Sequence, residues 1–258
     1  DGNDDIQTGP GNDVVRSQGG NDTIDSAEGN NKVFGDANDD LIIAGSGDDR
    51  IFENTGDDTI DAGDGDDLLW AKKNTNFTLT DTSLTGLGSD TISGITRAFI
   101  TGGGSANTLD ASVFSLAPVP LRRRGGDDTM LGTNAADSLD GGPGNDSIVG
   151  NAGNDTLFGG SGNDTLEGNA GTDVLYGQRD DDSLKGGTGN DSMLGDDGND
   201  TLNGGDDDDV LLAGDGNDSL IGAGGIDVLA GQGGTNSFDD ASEVNESFVF
   251  YAAWIDRV

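Results

Sequence analysis

Aspartate recurs every nine residues over most of this 258-residue chain. In a first array it is Asp4, Asp13, Asp22, Asp40, Asp49, Asp58 and Asp67, with Asn31 in the vacant place. In a second it is Asp128, Asp137, Asp146, Asp155, Asp164, Asp173, Asp182, Asp191, Asp200, Asp209, Asp218 and Asp227, followed by Asn236. Carboxylates at a fixed period are suited to hard cations. Calcium takes about six to eight oxygens, from carboxylates and from main-chain carbonyls at tight turns, whereas magnesium wants a tighter octahedron. Zinc wants His and Cys, and the chain has neither. The same absence excludes Ser–His triads, Cys nucleophiles and HExxH zinc sites. A carboxylate pair can hydrolyse glycosides, but the period accounts for these aspartates and no pair stands outside it. The chain is expected not to be an enzyme. A single Asp is as readily an Asx-turn former; nineteen in phase are a device.

Something must hold these carboxylates at regular positions. With Asp counted as sixth, the eighth residue of each unit is large and apolar. It is Ile6, Val15, Ile24, Val33, Ile42, Ile51, Ile60 and Leu69, then Met130, Leu139, Ile148 and onward without a gap to Leu229 and Phe238. With 31% apolar residues, chance gives such a run on the order of 10⁻¹¹. Composition alone, with 47 Gly, 50 acidic against 12 basic residues and a net charge of −38, would read as a disordered, self-repelling chain. The period decides against disorder. The fourth position is Gly, or Asn38, Asp180 or Asp207, the types that tolerate positive φ; only Ala135 strains this rule. Each unit reads as a six-residue turn and a three-residue strand whose middle side chain points inward. Such strands cannot fold singly. Stacked in parallel, two units per coil, they predict an all-β parallel β-roll solenoid, with the stacking neighbour eighteen residues away. Stacking sets carboxylates side by side. One Ca²⁺ per adjacent pair of turns, about fifteen in all, would offset ~30 charges.

The units "GGSGNDTLE" (159–167) and "GGTGNDSML" (186–194) resemble the RTX calcium-binding nonapeptide, glycine-rich with Asp sixth and an aliphatic residue eighth. The resemblance covers about three quarters of the chain. It implies a parallel β-roll, with calcium held between successive turns by the sixth-position Asp and backbone oxygens. It also implies export, folding triggered by extracellular calcium, and often a passive role beside another module. The first array departs from the pattern. Thr8, Ser17, Ser26, Ala44, Glu53 and Ala62 replace its opening Gly, so weaker sites are expected there. Asn31 and Asn236 each remove a formal charge from theirs. An EF-hand would need a Glu at loop position twelve and flanking helices, and neither pattern is present.

Four segments follow. Residues 1–70 are the first array, 71–122 a β-rich insert, 123–238 the second array and 239–258 an apolar cap or tail. In the insert, "NFTLTDTSLTGL" and "DTISGITRAFIT" read as longer strands. "GGGSANTLD" (102–110) is a decayed unit, with Asn107 where Asp belongs and Leu109 in the inner slot. The insert is expected to continue the solenoid as wider coils without calcium. Arg122, Arg123 and Arg124 read as local charge compensation or as docking to an acidic neighbour. "ESFVFYAAWIDRV" reads as a cap over the last rung, or else as part of an export signal. The opening in mid-pattern at "DGNDDI" is expected of a piece of a longer protein.

Positions seven and nine flank the buried residue and point outward. Sorted at spacing eighteen, one face carries Phe158, Val174, Tyr176, Leu194, Val210, Leu212 and Val228. The other carries mostly Ser147, Thr165, Glu167, Ser183, Lys185, Thr201, Asn203 and Ser219. The first array does likewise, less cleanly, with Phe34, Phe52, Leu68 and Trp70 on one side. A strip of this length marks a contact: a homo-oligomer or filament through Phe158, Tyr176, Leu194 and Leu212, or cover by the insert or tail. The acidity excludes nucleic acid and anionic membrane as partners, and no apolar run is long enough for a membrane span. Position three is too irregular for an ice-binding ladder. Asn76 and Asn245 lie in glycosylation acceptors outside the repeat. The expected function is a calcium-binding extracellular structural module, secreted or on the cell surface. It would serve as a surface, fibre or adhesin stalk of ~60–70 Å at ~4.8 Å per stacked strand. The alternative is a calcium-dependent export and folding appendage of a larger secreted enzyme or toxin.

Overall fold

A computed structural model describes residues 2–53, 55–73, 75–115, 119–122 and 125–239. Arg123, Arg124, Asn245 and, apart from Asp239, the expected cap or tail at 239–258 lie outside the described residues. The described residues form strands and turns without a helix, as the nine-residue period predicts. They fall into two compact units, residues 1–103 with 107–121, and residues 104–106 with 122 onward.

In the second unit alternate repeats supply two parallel sheets. One stacks Ser147–Ala152, Thr165–Ala170, Ser183–Thr188 and Thr201–Asp206; the other stacks Thr156–Ser161, Val174–Arg179, Ser192–Asp197 and Val210–Asp215. The register is eighteen residues throughout, so that Leu166 pairs with Leu184 in one sheet and Leu157 with Leu175 in the other. From Met130 to Leu220 the eighth-position side chains fill the interior and are fully buried, whereas Phe238, at the last described rung and expected inside, is 38% exposed because no further rung covers it among the described residues. The strands are six residues long rather than the expected three. In most repeats of this unit the pleat runs on past position nine: the first position, Gly or Ala213, turns inward again, and positions two and three pair, as in Gly142–Gly160 and Pro143–Ser161. Position two then bends the strand through the left-handed region, at Asn151 (φ 79°), Asn169 (φ 76°) and Asp196 (φ 70°). The sequence reading placed positive φ at position four. Asn38 (φ 76°), Asp180 (φ 73°) and Asp207 (φ 78°) do adopt it there, and Ala135 does not.

The first unit follows the same plan with shorter strands. Asp5–Gln7, Thr23–Asp25, Leu41–Ile43 and Thr59–Asp61 stack in one sheet, and Val14–Arg16, Lys32–Phe34, Arg50–Glu53 and Asp67–Lys72 in the other. Here the ladder breaks after position nine and resumes as single bridges at position three, such as Gly19–Ala37 and Ala37–Thr55. The insert supplies longer strands and is more than a set of wider coils. Ser83–Thr85 runs antiparallel between Phe77–Thr80 and Ser89–Ser93, and Ser89–Ser93 then rejoins the stack parallel to Thr59–Asp61. Leu109 occupies the inner slot as expected and is buried.

The inner column carries the packing. Leu166→Ala should cost the calcium-loaded protein about 2–5 kcal/mol, and Leu194→Ala, on an outer face, distinctly less. Denaturant titration of both variants measures this, and equal costs would contradict the inward assignment.

Candidate metal centres

The parallel stack turns the sixth-position aspartates into ladders. Each Oδ1 accepts the main-chain N–H of the residue eighteen places earlier: Asp146 to Asp164 at 2.7 Å, Asp164 to Asp182 at 2.8 Å, Asp182 to Asp200 at 2.9 Å. The other sheet repeats this from Asp155 to Asp173, Asp191 and Asp209. One carboxylate oxygen is thereby satisfied. The second, Oδ2, is buried without a hydrogen-bond donor at Asp22, Asp49, Asp67, Asp155, Asp164, Asp173, Asp182, Asp191, Asp200, Asp209 and Asp218. A buried anionic oxygen in that condition is costly unless something positive meets it.

Its surroundings are other oxygens. A Cβ placed on Gly150 would collide with Asp155 Oδ2 and come within 3.1 Å of the Gly168 carbonyl oxygen; one on Gly159 would collide with Asp164 Oδ2 and come within 2.9 Å of that of Gly177. The opening glycine therefore leaves a space shared by its own unit's carboxylate and a carbonyl of the next coil. Asn31 shows what that space accepts. Its Oδ1 takes the Asp13 N–H at 3.0 Å, which fixes the orientation of the amide. Its Nδ2, where an aspartate would have Oδ2, donates to the carbonyls of Ser26 (3.3 Å), Gly29 (3.0 Å) and Ala44 (3.3 Å). Three main-chain oxygens from two coils thus converge beside this position. With a carboxylate there instead, four oxygens would face one another, and only a cation or a proton relieves that. Among the described residues no three acidic side chains gather at one point; each space pairs buried carboxylate with main-chain oxygen. An all-oxygen set rich in carbonyls fits the large, adaptable shell of calcium.

A family model described as the RTX calcium-binding nonapeptide repeat (4 copies) matches residues 1–33, 26–52, 54–77, 124–157, 149–184, 158–193, 176–211, 194–229 and 212–239. The chain belongs to this family. No curated protein matches it. In this RTX chain most predicted ligands stand in the two ladders of their unit, with three kinds of departure. Asp4 is exposed at the first rung. Asp137 has its second oxygen met by the protein, since Thr133 donates both its N–H and its hydroxyl (2.9 Å) to Oδ2; this is the repeat of Ala135, whose turn departs from the pattern. In the first array, hydroxyls at position one reach the carbonyl of the next coil's first residue, Ser17 to Gly35 at 2.8 Å and Ser26 to Ala44 at 3.2 Å. That competition gives a physical cause for the weaker sites expected there.

Two features escaped the sequence reading. Asp90 accepts the Asp58 N–H at 3.0 Å, is buried, and has an Oδ2 without a donor. It lies in "GLGSDTIS" (86–93), a full Gly-x-Gly-x-Asp-x-aliphatic unit, but the antiparallel excursion moves it thirty-two residues beyond Asp58. A count locked to eighteen skips it. The fifth position forms a second, exposed ladder of opposite sense, with Asn163 N–H to Asn145 Oδ1 at 2.8 Å and Asp57 N–H to Asp39 Oδ1 at 2.9 Å. The two ladders together hold neighbouring turns in register.

Burial pushes the carboxyls of Asp155, Asp164, Asp182 and Asp209 up to about 7, and those of Asp40, Asp67, Asp90, Asp191 and Asp200 up to about 6. The N–H on Oδ1 opposes the rise and nearby carboxylates add to it. A folded value above the unfolded 3.8 means that the metal-free fold takes up protons. Their stabilisation is full below the unfolded value and is lost as pH rises through about 6 to 7. In chelator, circular dichroism should therefore show β structure appearing as the pH falls from about 8 to about 5. Identical unfolded spectra at both ends would refute this. Separately, Asn31→Asp should raise the bound-calcium count by one in native mass spectrometry, and Asp164→Asn should lower it. A count that neither variant moves would remove these residues from the ion sites.

Proposed function

We propose that this chain is an extracellular, non-enzymatic structural module that calcium folds and stiffens, as part of a surface layer, fibre or adhesin stalk. The observation that carries the reading is the buried ladder of Oδ2 atoms facing main-chain oxygen. A fold that repeats this liability at most rungs is stable only with its counter-charges in place, so ion binding is folding free energy. About fifteen ions, one per adjacent pair of turns, would offset ~30 of the formal −38 charges. Sites with so few carboxylates per ion belong with the weak class, near 10⁻⁴–10⁻³ M on the order of magnitude, that fills outside cells. Lack of His and Cys, with the aspartates engaged in the ladders, supports a role without catalysis.

Lateral association is the second part of the proposal. The register sets Phe158, Tyr176, Leu194 and Leu212 in one outer column. Phe158 and Tyr176 stack with centroids 5.0 Å apart, and Val210 and Val228 in the neighbouring column are each 37% exposed. An apolar strip left half-buried on an outer face favours a second surface over water. Calcium titration read by circular dichroism and sedimentation tests both parts. The chain should fold and associate on adding calcium at pH 8, and Tyr176→Ser with Leu212→Ser should fold alike but associate less. A β spectrum in excess chelator at that pH would end the first part, and unchanged sedimentation of the variant the second.

A further inference from the structure

The outer face of one sheet in the first unit differs from the rest of this acidic chain. Of its 12 basic residues, four stand there: Arg16 in the ninth-position column, and Lys32, Arg50 and Arg97 in the seventh-position column beside it, where Lys32 pairs with Arg50, and Arg50 and Arg97 both pair with Leu68. Arg97 is bonded to Asp66 at 2.7 Å and Arg16 lies 3.8 Å from Asp36, whereas Lys32 and Arg50 have no carboxylate at ion-pair distance among the described residues. The ninth-position column continues through Phe34, Phe52, Trp70 and Phe99.

The rings are stacked on one another along the column. Phe34 lies between the Arg16 guanidinium, 4.4 Å from its centroid, and Phe52, at 4.3 Å and 9°. Phe52 continues to Trp70 at 5.6 Å, and Trp70 to Phe99 at 4.7 Å. The ring faces are thus mostly covered, and what remains for a partner is their hydrogen-bearing edges, which carry partial positive charge. Such a face disfavours a sugar ring, which would need open ring faces. It favours carboxylates and aliphatic side chains held at the rung spacing.

The outer face of the same unit's other sheet supplies that pattern. It presents Asp5, Asp25 and Asp61, with Leu41 and Ile43 exposed at 37% and 36%. Asp25, Ile43 and Asp61 stand in one column. Because both sheets bury their eighth-position residues between them, the two outer faces look in opposite directions. Their rungs share one spacing, so the basic face of one copy can meet the acidic face of another, with Asp25 and Asp61 two rungs apart and Ile43 between them. We propose that the Arg/Lys–aromatic face of the first unit docks on the Asp–Leu/Ile face of the first unit of a second copy. The contact joins unlike faces, so it does not close on itself and propagates as an open stack. This rests on the structural-module reading and adds a second, electrostatic contact to it.

The test uses full-length, calcium-loaded protein carrying Tyr176→Ser and Leu212→Ser, so that the other strip does not contribute. In that background Lys32→Glu with Arg50→Glu, and separately Asp25→Lys with Asp61→Lys, should each raise the concentration for half-association by about tenfold or more. Mixing the two variants should restore association, because each reversed face then meets its reversed complement. Circular dichroism checks that both fold with calcium, which separates failure of this contact from failure of the calcium reading. Single variants that associate like their parent, or a mixture that does not recover, would overturn the proposal. So would a Lys32/Arg50 variant that loses binding to an acidic polysaccharide such as polygalacturonate while self-association is unchanged.

Discussion

A carboxylate oxygen buried among carbonyl oxygens is the constraint from which the rest of this structure follows. It explains why the first glycine of a full repeat lacks a side chain: a Cβ there would occupy the space in front of Oδ2. It explains why the turn is tight, since only a tight turn aims several carbonyls at one point. It also explains why strands this short suffice. The inner column of Leu, Ile, Val and Met is one residue wide per strand, and a counter-charge at each Oδ2 would supply what so thin a column does not.

Asn31 is the natural control. Its amide keeps the Oδ1 bond that aspartate makes and replaces the anionic Oδ2 with a donor that the surrounding carbonyls accept. The rung there is satisfied by protein atoms alone. Thr133 gives Asp137 a different internal solution, donors brought to the carboxylate instead of a donor replacing it. Both departures preserve the stack, which shows that the backbone geometry tolerates a proton-bearing group where the ion fits. In a linear array each coil contacts only its neighbours, so such rungs need no outside counter-charge of their own, whatever the rungs beside them bind.

Much of this was legible in the sequence. The eighth-position residues are the core, the stacking interval is eighteen, and the sixth-position aspartates line the turns, because one short unit is copied and each copy faces the same neighbours. What the period could not show lies where it breaks or where geometry is fine-grained. Asp90 was hidden because fourteen extra residues of antiparallel excursion shifted its phase, although "GLGSDTIS" spells the unit in full. Position two was hidden because Gly is common at both two and four, and it is non-glycine residues such as Asn151, Asn169, Gln178 and Asp196 that reveal its positive φ. The cations of the first unit were overlooked in another way. Lys32, Arg50 and Arg97 are scattered along the chain and become a column only once the rungs are aligned.

The two hydrogen-bond ladders also bear on how the ion sites discriminate. Sixth-position bonds run from each N–H to a carboxylate one coil later, and fifth-position bonds run from each N–H to a side chain one coil earlier. Most turns are therefore held from both sides by bonds that involve no metal. The distance between facing carbonyls is set by these ladders and by the strand spacing, so the space available to an ion is fixed largely by the protein. A site of that kind does not contract readily around a small cation that demands close, octahedral ligands.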